Sequence, residues 1–267
     1  MTMLDHDIKA ASDTLWSCQR SGTVIAGLAA PMWPESRAEG YAIQARLMAH
    51  TSKPLFGWKI AATSVAGQKH INVDGPLAGR ILAERVVPNG SEVRLGSNRM
   101  RVAEAEFAFK MAQSLPPQEA DYSQAEVLAA IGTLHLAIEV PDSRFADFKI
   151  VGAAQLIADN ACAHVFMKGP PVAADWRGID LSTHKVVGTI SGRRGRAVRN
   201  EGMGSNVLGG PLIAMTWIAN ELSRIGIGLT ADEVVTTGTC IAPLPLHEGD
   251  IAIADFGVFG RVSLSFS

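Results

Sequence analysis

Cysteine is scarce in this chain of 267 residues: Cys18, Cys162 and Cys240 lie far apart, and no C-x-x-C pair occurs. That spacing argues against a disulfide framework or a thiolate zinc site, and it fits a reducing, cytoplasmic setting. Aromatic residues make up only 6%, too few for a base-stacking platform. Neither sign of charge is in surplus. Lys and Arg number 24 against 26 Asp and Glu, a formal net charge of -2, so neither a nucleic-acid partner nor a charged tail is expected. No apolar run is long enough to span a membrane, and the opening M-T-M-L-D-H-D-I-K is too polar for a secretory signal. What remains is a chain 47% hydrophobic and 19% charged, sufficient for one large domain or a domain with an appendage.

The first 54 residues read as helical. Leu4, Ile8, Ala11, Leu15 and Cys18 recur at helical spacing, Ala30–Pro34 breaks the pattern, and 36–49 suits a second helix. From residue 55 onward glycines are frequent and the apolar runs shorten. Strands are expected at 55–61, 93–95, 102–110, 134–140, 185–191, 234–237, 251–256 and 261–266. Two helices interrupt them. Ser123-Gln-Ala-Glu126 is a capping box, and Pro211 opens a stretch that Gly226 and Gly228 can stop. Helices and strands do not alternate regularly, which disfavours a doubly wound parallel sheet. The fold class read here is α+β, with a helical segment over 1–54 and a β-rich body over 55–267.

The segment Arg101-Val-Ala-Glu104-Ala-Glu106-Phe-Ala-Phe109-Lys110 carries the chemistry. On a strand, Ala103, Ala105, Phe107 and Phe109 face one side, and Val102, Glu104, Glu106 and Ala108 face the other. The two carboxylates then share a space about 7 Å apart along the strand. Like charges so close repel unless a cation lies between them. The same run also fits a solvated strand face, or an Ala/Glu-rich helix that would put the two on different sides. A third carboxylate, Glu139, sits on the apolar strand Leu134–Val140 and needs a partner if buried. Three oxygen ligands with open positions suit a hard ion such as Mg²⁺ or Mn²⁺. His135, on the same strand, is either a fourth ligand or a structural histidine. Lys59, in F-G-W-K-I-A, is either a snorkelling edge residue or a catalytic amine, and Asp74 lies in a turn-like N-V-D-G-P.

These residues add up to a resemblance. The carriers are G-W-K-I-A-A-T-S (57–64), V-D-G-P-L-A-G (73–79), R-V-A-E-A-E-F-A-F (101–109), A-I-E-V-P-D-S-R (137–144), I-A-D-N-A (157–161) and G-M-G-S-N-V-L-G-G-P (202–211). Through them the chain resembles, over nearly its whole length, the 2-keto-4-pentenoate hydratase and 4-oxalocrotonate decarboxylase group of the fumarylacetoacetate hydrolase superfamily. The resemblance implies a mixed β-roll body with an N-terminal helical segment, and homo-oligomeric assembly. It implies Mg²⁺ or Mn²⁺ on Glu104, Glu106 and Glu139, and Lys59 in the active site, where a nearby cation would depress its pKa. Glu106 is also a candidate for placing the attacking water. The substrate implied is a small 2-oxo acid, hydrated from a 2-hydroxy-2,4-dienoate to a 4-hydroxy-2-oxo acid in aromatic catabolism. Decarboxylation of the 4-oxalocrotonate type is the alternative. Hydrolysis of an acylpyruvate ranks lower, because no His–Glu dyad is evident near His50 or His70. Ser205, Ser143 and Thr239 are candidate substrate contacts. Where similar sequences read D-Q-P-D-[FY]-G this chain reads D-G-P-L-A-G, so Leu77 stands where an acid is expected. Asp74 and Asp142 are the candidates to replace it. The glycines near 202 do not complete a dinucleotide fingerprint, since the sixth position is Val207. A non-catalytic binding protein is a further reading, were Leu77 to mark a lost activity.

Overall fold

The computed structural model of the chain describes residues 3–267. Helix α1 (Asp5–Ser21) buries Ala11, Leu15 and Cys18 and stops at the left-handed Gly22. Helix α2 (Arg37–Ala45) starts from a capping box of Ser36 and Glu39, and a 3₁₀ turn over Arg46–His50 extends it. The body contributes α3 (Val65–His70), α4 (Gln124–Ala130), α5 (Gly152–Ala158) and α6 (Pro211–Arg224). Both halves of the Ser123/Glu126 box form at α4, and Pro211 occupies the first turn of α6.

The described residues also form thirteen strands. They are β1 (Leu55–Ala61), β2 (Leu77–Leu82), β3 (Val86–Pro88), β4 (Glu92–Val93), β5 (Val102–Met111), β6 (Ile131–Val140), β7 (Val165–Pro171), β8 (Lys185–Ser191), β9 (Ala197–Met203), β10 (Val234–Thr239), β11 (Leu244–Pro245), β12 (Ile251–Asp255) and β13 (Arg261–Phe266). The larger sheet runs β2-β1-β10-β5-β6-β7-β3, with β11 also pairing with β5; the smaller runs β4-β13-β12-β8-β9. Strands β2, β3, β7, β9 and β11 and helices α3 and α5 are additions to the sequence reading. The basic stretch at 193–200 is the tip and outgoing strand of the β8–β9 hairpin.

The larger sheet curls. Phe56 on β1 and Phe166 on β7, separated by three intervening strands, have ring centroids 6.3 Å apart. Ile81, Ala108, Ala137, Phe166 and Val234 form a buried cluster inside that curl. The other face of β5 packs toward the smaller sheet, where the rings of Phe107 and Phe256 meet edge to face at 5.0 Å. One continuous core takes in Leu15 and Ile43 from the N-terminal helices together with Trp58, Phe107, Met215 and Leu264. The chain is thus a mixed α/β fold whose helical segment and β body share buried surface. No helix among the described residues is long and apolar enough to cross a membrane.

Candidate active site

Strand alternation on β5 places Glu104 and Glu106 on the concave face, and register brings in the third carboxylate. Glu104 pairs with Glu139 across the antiparallel β5–β6 ladder, and Glu106 pairs with Ala137. One ligand oxygen from each of Glu104, Glu106 and Glu139 lies within 4.8 Å of the others. Like charges directly opposite on neighbouring strands oppose folding unless a cation joins them.

Each inner carboxylate has one oxygen tied to the protein and one free. Glu106 Oε2 accepts hydrogen bonds from Thr236 Oγ1 and from the Gly238 backbone N–H at 2.9 Å, whereas Glu106 Oε1 is buried without a partner. Glu139 Oε1 accepts from Lys59 Nζ at 2.9 Å, whereas Glu139 Oε2 is likewise orphaned. Buried carboxylate oxygens without donors are rare because of their desolvation cost. Two of them converging beside a third carboxylate fit a divalent ion. Burial and the neighbouring Glu139 charge push Glu104 up to about 7, and burial likewise raises Glu106 and Glu139.

The donors to Glu106 come from an irregular end of β10. Register shifts between Thr236 and Thr239, and Gly238 takes φ 104. A Cβ on Gly238 would meet the Thr63 side chain at 2.3 Å, so glycine is required there. Thr236 and Gly238 were not singled out from sequence. A glycine inside a strand run (T-T-G-T) is the signal that points to such a bulge.

Lys59, on β1, is 3% exposed and donates to Ala161 O at 3.0 Å as well as to Glu139. Burial lowers its pKa, but the Glu139, Glu104 and Glu106 carboxylates outweigh burial and hold it above the ordinary lysine value. The group that Lys59 touches is the Glu139 carboxylate, whereas the depression expected from a neighbouring cation concerns the metal-loaded site. The second partner of Lys59 sits in a strained turn. Asn160, Ala161 and Cys162 have φ of 55, 50 and 60, three successive non-glycine residues in the left-handed region. Asn160 secures the turn by accepting from Arg80 N at 2.6 Å and donating to Arg80 O at 2.8 Å. Cys162 is buried, and its thiol is pushed up to about 12 chiefly by burial, so it is no nucleophile.

A cavity of about 910 Å³ opens onto this centre, lined by Lys59, Glu104, Ala161, Cys162 and Thr239 among others. Glu106 is fully buried behind Glu104 and does not line it. Leu77 is buried in the cavity wall. The structure sets several other candidates apart. The Asp74 side chain is 83% exposed and pairs with Arg37, because its turn projects from the body. Ser205 is exposed and its N–H serves Ser182 O, while the next residue, Asn206, lines the cavity. Ser143 is buried and donates to Asp159 Oδ2 at 2.7 Å, beside the Arg144–Asp159 ion pair, and it lines an adjoining crevice rather than the main cavity. Asp142 accepts from Arg99 N and Met100 N, holding the loop before β5. His135 has both ring nitrogens engaged, with Thr133 Oγ1 and Gly169 O at 2.9 Å, and is structural. Thr239 reaches the cavity, with its hydroxyl donating to Ile241 O at 2.8 Å.

No family model matches the chain. It is 30% identical to a 2-keto-4-pentenoate hydratase of Paraburkholderia xenovorans (strain LB400), over 99% of this chain and 96% of that protein. It is 31% identical to a 2-hydroxyhexa-2,4-dienoate hydratase of Comamonas testosteroni, over 83% of this chain and 82% of that protein. Among solved structures it is similar to 4-oxalocrotonate decarboxylase from Pseudomonas putida G7 complexed with magnesium and adipate. The TM-score is 0.88 at 25% identity, covering 100% of this chain and 99% of that one. The calcium and acetate complex of the same enzyme matches with a TM-score of 0.86 at 26% identity, over 100% of this chain and 99% of that one.

Proposed function

The chain belongs to the 2-keto-4-pentenoate hydratase family, and we propose that it adds water to a 2-hydroxy-2,4-dienoate at the site just described, giving a 4-hydroxy-2-oxo acid in aromatic catabolism. The observation that carries this reading is the meeting of two orphaned carboxylate oxygens and Glu104 at the edge of a large cavity, beside a buried lysine. Glu104, Glu106 and Glu139 would hold Mg²⁺ or Mn²⁺, since oxygen-only donors suit hard ions. When bound, such an ion would polarise the 2-oxo group of the substrate and stabilise negative charge developing at the 2-oxygen.

The chain's own residues supply the rest. Lys59 reaches the cavity as an ammonium held by Glu139 and Ala161, so it can deliver a proton to the far carbon of the dienol. The enone so formed accepts water at its fourth carbon. Glu104 is the trio member that lines the cavity, and it is better placed than Glu106 to orient that water. Leu77, Val102 and Ile241 give the cavity apolar walls suited to the dienyl chain. A homo-oligomer in the cytoplasm belongs to the same proposal; three free, buried cysteines are in keeping with a reducing compartment.

Purified protein with Mg²⁺ and 2-hydroxypenta-2,4-dienoate is expected to bleach the dienol absorbance and form 4-hydroxy-2-oxopentanoate. The likeness to the decarboxylase supports one second reading, a carboxy-lyase. Absence of the hydrated product, with carbon dioxide released from 2-oxohex-3-enedioate, would establish it instead.

A further inference from the structure

The cavity has more room than a five-carbon acid can use. It encloses about 910 Å³, toward the upper end of the range for ligand pockets, whereas 2-hydroxypenta-2,4-dienoate has only about eight heavy atoms. Strand register shows how that room is arranged. Side chains two residues apart on a strand share a face and stand about 7 Å apart. Lys59 pairs with Gly79 and Ala61 with Leu77, so Ala61 and Leu77 lie one such step along the concave face from Lys59. Glu104 pairs with Glu139, and one step from them lie Val102 and, just past the end of β6, Pro141. The steps point the same way, because β1 and β6 both run opposite to β5. All four residues line the cavity. An apolar collar therefore follows directly on the charged layer of Lys59, Glu104 and Glu139.

Leu77 completes the collar. It is buried, and it puts hydrocarbon where the resemblance leads one to expect an acid. The segments that continue from the collar add Ile71, Met100 and Phe148 to the same cavity, all three half-buried. Arg99, Lys149 and His70 also border the cavity but are exposed to solvent. With C–C bonds of about 1.5 Å, an extended five-carbon chain reaches only about 5 Å from its carboxyl carbon. Held at the charged layer, it would end at the collar and leave Ile71, Met100 and Phe148 uncovered. Covering such side chains with hydrocarbon is favourable in proportion to the area removed from water.

We propose that the substrate carries an apolar tail: a 2-hydroxy-2,4-dienoate, or the derived 2-oxo acid, extended beyond its fifth carbon by an alkyl group of several carbons that passes through the collar. The inference rests on reading the trio as a 2-oxo acid site. It assigns Leu77 and Phe148 as specificity-determining residues.

A series of unreactive straight-chain 2-oxo acids tests it. The Mg²⁺-loaded protein is titrated calorimetrically with 2-oxopentanoate, 2-oxohexanoate and 2-oxooctanoate. Each methylene beyond the fifth carbon is expected to tighten binding ~2–4-fold, which makes 2-oxooctanoate ~10–60-fold tighter than 2-oxopentanoate. Leu77→Asn keeps the side chain's size and makes the collar polar; Phe148→Ala removes part of the outer wall. Each should reduce the gain with chain length while leaving oxalate affinity unchanged, because oxalate is long enough to reach only the trio. Oxalate binding thus reports that the head site of each variant is intact, and if Leu77→Asn does not fold, Phe148→Ala decides alone. Equal affinity along the series in the unaltered protein overturns the inference and leaves the 2-oxo acid site standing. So does a gain that survives the substitutions in variants that still bind oxalate. Failure of every acid, oxalate included, overturns the site reading and the inference together. Turnover is scored separately, on 2-hydroxypenta-2,4-dienoate and 2-hydroxydeca-2,4-dienoate, so a failed hydratase reading is not mistaken for a failed specificity.

Discussion

Glu106 is divided between holding itself in place and presenting a ligand. One oxygen takes hydrogen bonds from Thr236 and Gly238, and the other is left without a donor. A carboxylate pinned in this way loses little orientational freedom on binding an ion, so its supporting donors tune metal affinity. Thr236→Val keeps the side chain's shape and removes the hydroxyl. It is expected to weaken Mg²⁺ binding ~10–100-fold by calorimetry, with the thermal midpoint little changed and with Thr236→Ser restoring affinity. Full affinity in the valine variant would mean that the Gly238 N–H suffices. At this scale the trio was legible in sequence, because two glutamates at i and i+2 share a face of any strand. The donors were not legible, because Thr236 reaches Glu106 across a ladder whose register no spacing along the chain reveals. Asp74 and Ser205 failed as site residues for the same reason: a turn sequence does not state whether the turn faces the cavity or the solvent.

Among the elements, the left-handed turn at Asn160–Cys162 has the clearest functional consequence. It aims Ala161 O at Lys59 Nζ, and Gly79 of β2 must lack a side chain to admit it, since a Cβ there would meet Asn160 O at 2.5 Å. Asn tolerates the left-handed region better than most residues, and its amide clamps Arg80 at both backbone atoms. Asn160→Ala removes both advantages and should lower stability by ~2–4 kcal/mol in urea unfolding. Asn160→Gly keeps the conformation and loses only the clamp, so it should lie between alanine and the native protein; equal losses for the two variants would remove backbone strain from the explanation. Strands whose sequence alternates (β5, β6, β8, β12, β13) were readable, and β1 was read from its short apolar run after Pro54. Strand β2 was not, since L-A-G-R-I-L is buried at every position and carries no period of two. Strand β7 ends in Gly-Pro-Pro, a breaker signature that its neighbours override, and β9 is the polar edge of a hairpin.

For the whole molecule, the buried trio couples stability to pH and to metal. All three carboxyls are raised by burial, Glu104 to about 7 from an unfolded value near 4.5. Groups raised on folding stabilise the native state fully below their unfolded value, and that contribution is lost as pH rises through the folded one. The metal-free protein should therefore lose stability between about pH 5 and pH 8, as three carboxylates are forced to ionise with only the Lys59 ammonium to balance them. A divalent ion binds the ionised trio, so Mg²⁺ should raise the thermal midpoint by several degrees more at about pH 8 than at about pH 5.5, and EDTA should abolish the difference. Scanning fluorimetry with and without EDTA at the two pH values reads this directly. An equal shift at both would show that the carboxylates are already ionised in the metal-free fold.

The sequence by itself determined the local geometry: which residues of β5 share a face, where Ser123 and Pro211 start helices, and which side chains can serve as hard-ion ligands. It did so because these features repeat over two to four residues and depend on backbone sterics alone. Only the tertiary structure decided that Glu139 stands opposite Glu104, that Lys59 is paired with the Glu139 carboxylate, and that Leu77 walls the cavity that Lys59 and Glu104 also line. Register, sheet curl and cavity lining are set by packing summed over residues far apart in the chain, and no spacing within one segment encodes that sum.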